Sequence, residues 1–136
     1  MKIIAVATAS ILMALSLNAN AAEAREEKTA SGIVITTMKD GAGASPKSTS
    51  VVKVHYRGTL VDGTEFDSSY KRGQAATFPL NRVIPCWTEG VQTMKVGGKV
   101  KLVCPSNLAY GSGGIAGTIP PNATLVFEVE LLEIVK

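Results

Sequence analysis

The side chains of this chain that could act on a ligand are mainly aromatic. Seven aromatic residues lie between positions 56 and 127, each in a short motif of its own: Tyr56, Phe66, Tyr70, Phe78, Trp87, Tyr110 and Phe127. A small domain can use such rings as core filler in one cluster. It can also line a concave surface with them and so bind a compact apolar ligand. Which use applies decides the function, and the rings alone leave both open.

Titratable and nucleophilic groups give little support for covalent or acid–base catalysis. The single histidine, His55, falls on the polar register of a strand, and no serine occupies a nucleophile elbow. Asp67 is the carboxylate that we expect in a site, because it directly follows Phe66 at the concave end of a strand. With one histidine and no C-x-x-C spacing, the chain lacks the ligands of an ordinary zinc site. We therefore expect no metal and no cofactor.

The first residues predict export. Met1 and Lys2 are followed by an apolar, uncharged run over 3–17 and by the small-residue pattern Ala19-Asn20-Ala21. This order is typical of a signal peptide spanning 1–21, with cleavage before Ala22. The run is too short to cross a membrane comfortably, which takes about 20 residues. We expect a periplasmic or secreted protein without a membrane anchor.

Charge excludes one class of partner. The formal net charge is +3 and falls to +2 without Lys2, and the charged residues are interspersed. A nucleic-acid-binding protein concentrates lysine and arginine in a patch or stripe. We therefore expect no nucleic-acid partner.

Alternating segments predict the elements that must position the aromatic residues. From 50 to 60, Val52, Val54 and Tyr56 fall on one face of a half-buried strand. Asp62-Gly63 is typical of a two-residue hairpin turn, so residues 64–68 should return beside that strand. Further strands are expected over 33–39, 77–80, 99–104 and 124–135, with a polar, helix-permissive arm over 22–31 and loops over 41–50, 71–74 and 105–121.

One helix is expected, beginning at Pro85 and ending at Gly97-Gly98. Its apolar residues Trp87, Val91 and Met94 recur at helical spacing. A helix of this size can cover one face of an antiparallel sheet while the other face meets water. The sequence therefore predicts an α+β fold: a curved antiparallel half-barrel of about five strands wrapped around one short helix.

The motifs, in their order, resemble those of the FKBP-type peptidyl-prolyl cis-trans isomerases in their exported bacterial form. The resemblance covers roughly residues 45–136, after an N-terminal arm and first strand over 22–44. It is carried by Val54-His55-Tyr56-x-Gly58, Asp62-Gly63-Thr64-x-Phe66-Asp67-Ser68-Ser69, Phe78-x-Leu80, Val83-Ile84-Pro85-x-Trp87-x-Glu89-Gly90, Ala109-Tyr110-Gly111, Ile119-Pro120-Pro121 and Leu125-x-Phe127-x-Val129-Glu130-Leu131-Leu132.

The resemblance implies a role for each of ten residues around a pocket between helix and sheet. Trp87 is the expected floor, Tyr56, Phe66 and Phe127 are expected walls, and Phe78 is expected to bind substrate. Val83 and Ile84 form the expected rim, with the Ile84 N–H donating to substrate. Tyr110 is expected to donate its hydroxyl to a substrate carbonyl and Asp67 to accept a polar contact in the cleft, while Ile119 closes over the ligand. Tyr70 matches no pocket position and is interpreted as a surface residue.

The implied activity is isomerisation of X–Pro bonds in folding polypeptides by non-covalent binding. A prolyl-peptide-binding chaperone module with little turnover is the alternative. Macrolide inhibitors are further possible ligands by the same resemblance, and the short arm before Ile33 favours a monomer. Cys86 stands where many relatives have glycine, and Cys104 where they have an apolar or small residue. Since exported cysteine pairs are usually oxidised, we predict a Cys86–Cys104 disulfide.

Overall fold

A computed structural model describes residues 25–136, and the predicted signal peptide lies outside the described residues. The fold is one antiparallel sheet of seven strands in the order β1-β2-β6-β7-β3-β4, with β5 also paired to β3. The strands are β1 (Arg25–Lys28), β2 (Val34–Lys39), β3 (Val51–Leu60), β4 (Glu65–Ser68), β5 (Ala76–Pro79), β6 (Lys99–Cys104) and β7 (Leu125–Ile134). The helices are α1 (Ser69–Arg72) and α2 (Pro85–Val91), with 3₁₀ turns at Leu80–Arg82 and Ser106–Leu108.

Strands β3 and β7 form the centre of the sheet. They pair along nearly their whole length, and Gly58 lies opposite Phe127. On its other side β3 pairs first with β5 and then with β4. Alternate residues of β7, from Leu125 to Leu131, are buried, while those between them are partly exposed. The predicted α+β half-barrel is confirmed, with seven strands instead of about five.

Helix α2 is shorter than predicted. Its N-cap is Ile84 and it ends at Val91, six residues before the expected glycine pair. After Val91 the chain forms tight turns, since the Thr93 and Met94 amides bond the carbonyls three residues earlier. The Thr93 hydroxyl also donates to the Gly90 carbonyl at 2.7 Å. Met94 remains buried although it lies outside the helix, so its spacing reflected a packed turn.

The N-terminal arm is a strand where a frayed, helix-permissive segment was expected. β1 pairs antiparallel with β2, from Arg25 opposite Thr37 to Lys28 opposite Val34. All four β1 residues are exposed. Because an exposed edge strand needs no apolar face, its sequence carries no alternation to detect.

Two local predictions around β4 also need correction. The hairpin loop has three residues, 61–63, closed by a Leu60–Thr64 hydrogen bond, and Gly63 takes a φ of +94°. The predicted polar loop over 71–74 begins instead inside α1. That helical turn is capped by the Ser68 side chain, which accepts from the Lys71 amide, and is ended by Gly73 at φ +71°. These are the ordinary serine N-cap and glycine C-terminal signals.

Within residues 25–136, no helix is long and apolar enough to cross a membrane.

Candidate active site

A cavity of about 510 Å³ opens between α2 and the concave face of the sheet. Nine of the ten predicted site residues line it; Ile119 is the exception. The lining consists of Tyr56, Phe66, Asp67, Phe78, Arg82, Val83, Ile84, Trp87, Ala109, Tyr110 and Phe127. Arg82 and Ala109 were not among the predicted site residues, although Ala109 belongs to a quoted motif and Arg82 directly precedes one.

Trp87 occupies the centre of the aromatic residues. Its ring centroid lies 5.3 Å from that of Tyr56, 5.5 Å from Phe78 and 5.5 Å from Phe127, each pair nearly perpendicular. Phe66 meets Phe127 in the same manner at 5.6 Å. Edge-to-face pairs contribute about 0.5–1.5 kcal/mol each beyond the area they bury. The rings therefore stabilise one another as core residues do, while part of each ring surface still faces the cavity.

Asp67, Tyr56 and Arg72 form a hydrogen-bonded group along one wall. The Tyr56 hydroxyl donates to Asp67 Oδ2 at 2.5 Å. Arg72 donates to Asp67 Oδ1 at 2.5 Å and to the Tyr56 hydroxyl oxygen at 3.2 Å. The motifs did not identify Arg72. The only sequence feature that marks Arg72 is its position five residues after Asp67. That spacing predicts a contact only when it is known that α1 folds the chain back toward Asp67.

This group is not arranged for proton transfer. Burial raises the pKa of Tyr56, and the hydrogen bond to Asp67 raises it further. Burial also works to raise the pKa of Asp67, but hydrogen bonds from Tyr56 and Arg72 outweigh it and leave that pKa below its ordinary value. At neutral pH the phenol is therefore protonated and the carboxylate charged. The wall presents a fixed polar surface, partly neutralised by Arg72.

Ser69 connects this wall to the central strand. Its side chain is fully buried, and its Oγ accepts from the Tyr56 amide at 2.7 Å and lies 2.8 Å from His55 Nδ1. His55 in turn stacks on Tyr70 with ring centroids 4.7 Å apart. His55 thus has a structural role, and Tyr70, 42% exposed, does not line the cavity. Ser69 holds the first turn of α1, which carries Arg72.

Two hydrogen-bond donors remain free at the rim. Ile84 is the N-cap of α2, and its carbonyl accepts from the Trp87 and Thr88 amides. Among the hydrogen bonds of residues 25–136, none uses the Ile84 N–H or the Tyr110 hydroxyl. Tyr110 is 40% exposed on the long loop before β7. Both donors can therefore serve a carbonyl that enters the cavity.

Ile119 lies in the core, not over the cavity. Its side chain is 3% exposed, and its backbone forms an isolated bridge with Ile115. Ile119 does not line the cavity in this structure, and its closure over a ligand stays a prediction.

The cavity floor is tied covalently to the sheet. Cys86 and Cys104 form a disulfide with Cα atoms 5.7 Å apart, and both are fully buried. The bond joins the first turn of α2, next to Trp87, to the last residue of β6. The predicted pairing is present in the structure.

Comparisons with known proteins agree with this geometry. Residues 43–132 match the family of FKBP-type peptidyl-prolyl cis-trans isomerases. The chain is 61% identical over 120 residues to the FKBP-type peptidyl-prolyl cis-trans isomerase FkpA of Aeromonas hydrophila. It is 51% identical over 118 residues to the FKBP-type 22 kDa peptidyl-prolyl cis-trans isomerase of Escherichia coli K12. These matches cover 88% and 87% of this chain but only 44% and 57% of the two relatives.

Solved structures show the same fold. The crystal structure of FkpA from Escherichia coli superposes with a TM-score of 0.79 at 46% identity, over 94% of this chain and 60% of that one. A peptidyl-prolyl cis-trans isomerase from Pseudomonas syringae pv. tomato gives a TM-score of 0.78 at 38% identity, over 88% of both chains. The chain belongs to the family of FKBP-type peptidyl-prolyl cis-trans isomerases.

Proposed function

We propose that the protein accelerates cis–trans rotation about X–Pro bonds in polypeptides, without a covalent intermediate. The observation that carries this proposal is the aromatic cavity with Trp87 at its floor and two free donors, the Ile84 N–H and the Tyr110 hydroxyl, at its rim. A proline ring is compact and apolar, and it suits a cavity walled by rings. The absence of a proton-transfer pair at Asp67 is consistent with a reaction that needs none.

The chemistry follows from the electronic structure of the amide. Rotation about a peptide bond faces a barrier of about 18–20 kcal/mol, and uncatalysed X–Pro bonds exchange over tens to hundreds of seconds. The planar amide is charge-separated by resonance, and the twisted transition state is less so. An apolar cavity therefore favours the twisted state more than water does. Binding that is stronger in the transition state than in the ground state is sufficient for catalysis.

The rim donors supply orientation. Hydrogen bonds from Ile84 and Tyr110 to substrate carbonyls hold the chain on either side of the turning bond, so that less freedom must be lost at the transition state. Each factor of ten in rate requires about 1.4 kcal/mol. One well-placed hydrogen bond contributes about 0.5–1.5 kcal/mol net. Removal of the Tyr110 hydroxyl should therefore lower kcat/KM by about two- to tenfold.

A matched pair of phenol deletions tests the site. Tyr110→Phe should lower kcat/KM for an apolar-X-Pro peptide in a protease-coupled or NMR exchange assay. Tyr70→Phe removes a phenol of similar exposure outside the cavity and should leave the rate unchanged. If the wild type binds the peptide yet exchanges it no faster than the uncatalysed control, the protein is a binding module and the enzymatic proposal fails.

We further propose that the substrates are proline-containing polypeptides outside the cytoplasm, and that macrolides compete for the same cavity. Support comes from the signal-peptide pattern over 1–21 and from the Cys86–Cys104 bond, which is typical of oxidising compartments. Cell fractionation with N-terminal sequencing should find the protein in the exported fraction and beginning at Ala22. Light scattering of that protein tests the proposed monomer.

A further inference from the structure

A second concavity of about 600 Å³ lies beside the aromatic cavity, on the face of α2 turned away from the core. Its lining is Asn81, Val83, Pro85, Thr88, Glu89 and Gln92. Val83 lines both concavities. A polypeptide that leaves the aromatic cavity past this rim residue therefore enters the groove. We call this surface the α2 groove.

Most polar groups of the α2 groove are already engaged within the protein. The Thr88 hydroxyl donates to the Leu80 carbonyl at 2.6 Å. The Gln92 side-chain amide donates to the Thr88 carbonyl at 2.7 Å. A ligand therefore meets the apolar parts of these side chains together with Val83 and Pro85. Such a surface suits the backbone and aliphatic stems of an extended chain.

Glu89 is the single charged residue of the groove lining. Its carboxylate accepts one hydrogen bond, from the Ser31 hydroxyl at 2.5 Å. None of the ion pairs between residues 25 and 136 involves it. Across Val83, the lining of the aromatic cavity carries one charge of each sign, at Asp67 and Arg82. The groove lining carries only the negative charge of Glu89, so the groove attracts a cationic side chain of the bound polypeptide.

We propose that the α2 groove is an extension subsite for the polypeptide flanking the proline, and that Glu89 selects a lysine or arginine there. This inference rests on the proposed function, because it needs a prolyl substrate in the aromatic cavity. An extended chain advances about 3.3–3.6 Å per residue. A cation a few residues from the proline therefore reaches the groove, whereas a tetrapeptide that fills the cavity does not.

The expected effect is modest because Glu89 is partly solvated. Exposed ion pairs contribute little, which corresponds here to a preference of about two- to fivefold in kcat/KM for lysine over glutamate. The preference should weaken as salt rises from about 0.05 to 0.5 M, since the Debye length shortens. It should occur on one side of the proline only, because the groove lies on one side of the cavity.

A lysine scan of longer peptides tests the subsite. Peptides share an apolar-X-Pro centre and carry lysine or glutamate at one position, from two to five residues before or after the proline. Glu89→Gln retains an acceptor for Ser31 and should abolish the lysine preference. Asn81→Asp adds a carboxylate at the exposed edge of the groove and should increase it. Glu133→Gln, at an exposed position of β7, is the matched control and should change nothing.

A tetrapeptide with the same apolar-X-Pro centre fills the cavity but is too short to reach the α2 groove. Its rate of isomerisation therefore separates the subsite proposal from the proposed function. If it is isomerised at equal rates by wild type, Glu89→Gln and Asn81→Asp, and the longer peptides behave as stated, the subsite is supported. If it is isomerised but no lysine position is preferred, or the preference survives Glu89→Gln, the subsite is refuted while the proposed function stands. If the tetrapeptide is not isomerised at all, the proposed function fails and the subsite falls with it.

Discussion

Gly58 is the residue at which one added methyl group should reshape the active cavity. It lies near the C-terminal end of β3, opposite Asp67 of β4 and Phe127 of β7. A Cβ built at this position would lie 2.7 Å from Phe66 Cζ and 2.8 Å from Phe127 Cε1. Its backbone is not in the left-handed region that would strain alanine. Gly58→Ala therefore acts on the two phenylalanine rings and not on the strand conformation.

The size of the effect follows from these distances. Carbon atoms in contact prefer about 3.5–4.0 Å, so both rings must move away from the new methyl group by roughly 0.7–1.3 Å. Overpacking of this kind costs about 1–3 kcal/mol of unfolding free energy. The free space beside the rings is the cavity itself, so Phe66 and Phe127 should both move into it. Because a displacement of about 1 Å can lower a rate by about 10², we expect kcat/KM to fall about 10- to 100-fold.

Gly90 provides the control. A Cβ there would lie 2.8 Å from Leu102 Cδ2, the far end of a flexible side chain, and its three nearest atoms all belong to Leu102. Alanine also favours the helix by about 0.8–1 kcal/mol. Urea unfolding and kcat/KM should be measured for both variants. The reasoning is refuted if Gly58→Ala folds and retains kcat/KM within twofold, or if Gly90→Ala lowers kcat/KM equally.

Three further variants test the surroundings of the cavity. Replacing Cys86 and Cys104 by alanine opens a loop with a sequence separation of 18 and should lower the unfolding free energy by about 3 kcal/mol, measured by denaturation. The pKa of Asp67 is lower in the folded protein than in the unfolded chain. The charged carboxylate therefore contributes fully to the free energy of unfolding above an ordinary aspartate pKa of about 3.9, and this contribution is lost as the pH falls through the lower pKa of the folded state. In Asp67→Asn, the free energy of unfolding should therefore depend less on pH in the acid range, as measured by denaturation at a series of pH values. Ser69→Ala leaves the buried Tyr56 amide without its partner and should cost about 1–3 kcal/mol in urea unfolding, with a smaller loss of kcat/KM than Gly58→Ala.

The burial of the aromatic residues could be predicted because its signals are local, whereas their roles in a pocket were implied by the resemblance to the FKBP-type family. Tyr56 and Phe127 occupy the apolar register of alternating strands, and Trp87 follows a helix-starting proline. Strand β1 gave no such signal, since an exposed edge strand needs neither an apolar face nor alternation. The end of α2 was misplaced because Met94 is buried in a turn at helical spacing.

The hydrogen-bonded group of Asp67, Tyr56 and Arg72 could not be predicted from local sequence patterns. Arg72 touches Asp67 only because Ser69, buried against the Tyr56 backbone, holds the first turn of α1 on the central strand. That arrangement depends on a strand more than ten residues away, so spacing along the chain cannot reveal it. Arg82 is missed for a related reason, because its side chain has no periodic partner and reaches the cavity only from the 3₁₀ turn.

The same packing resolves whether the rings are core filler or site. Trp87 is 4% exposed and Phe127 4%, as core residues are, yet both line an open cavity of about 510 Å³. Edge-to-face packing lets each ring stabilise its neighbours through its edge while its remaining surface faces the cavity. Gly58 leaves the space into which Phe66 and Phe127 withdraw. The rigidity of the walls and the room for a proline ring thus come from the same contacts, so a change that enlarges a side chain between these rings, as Gly58→Ala does, should lower both kcat/KM and the free energy of unfolding.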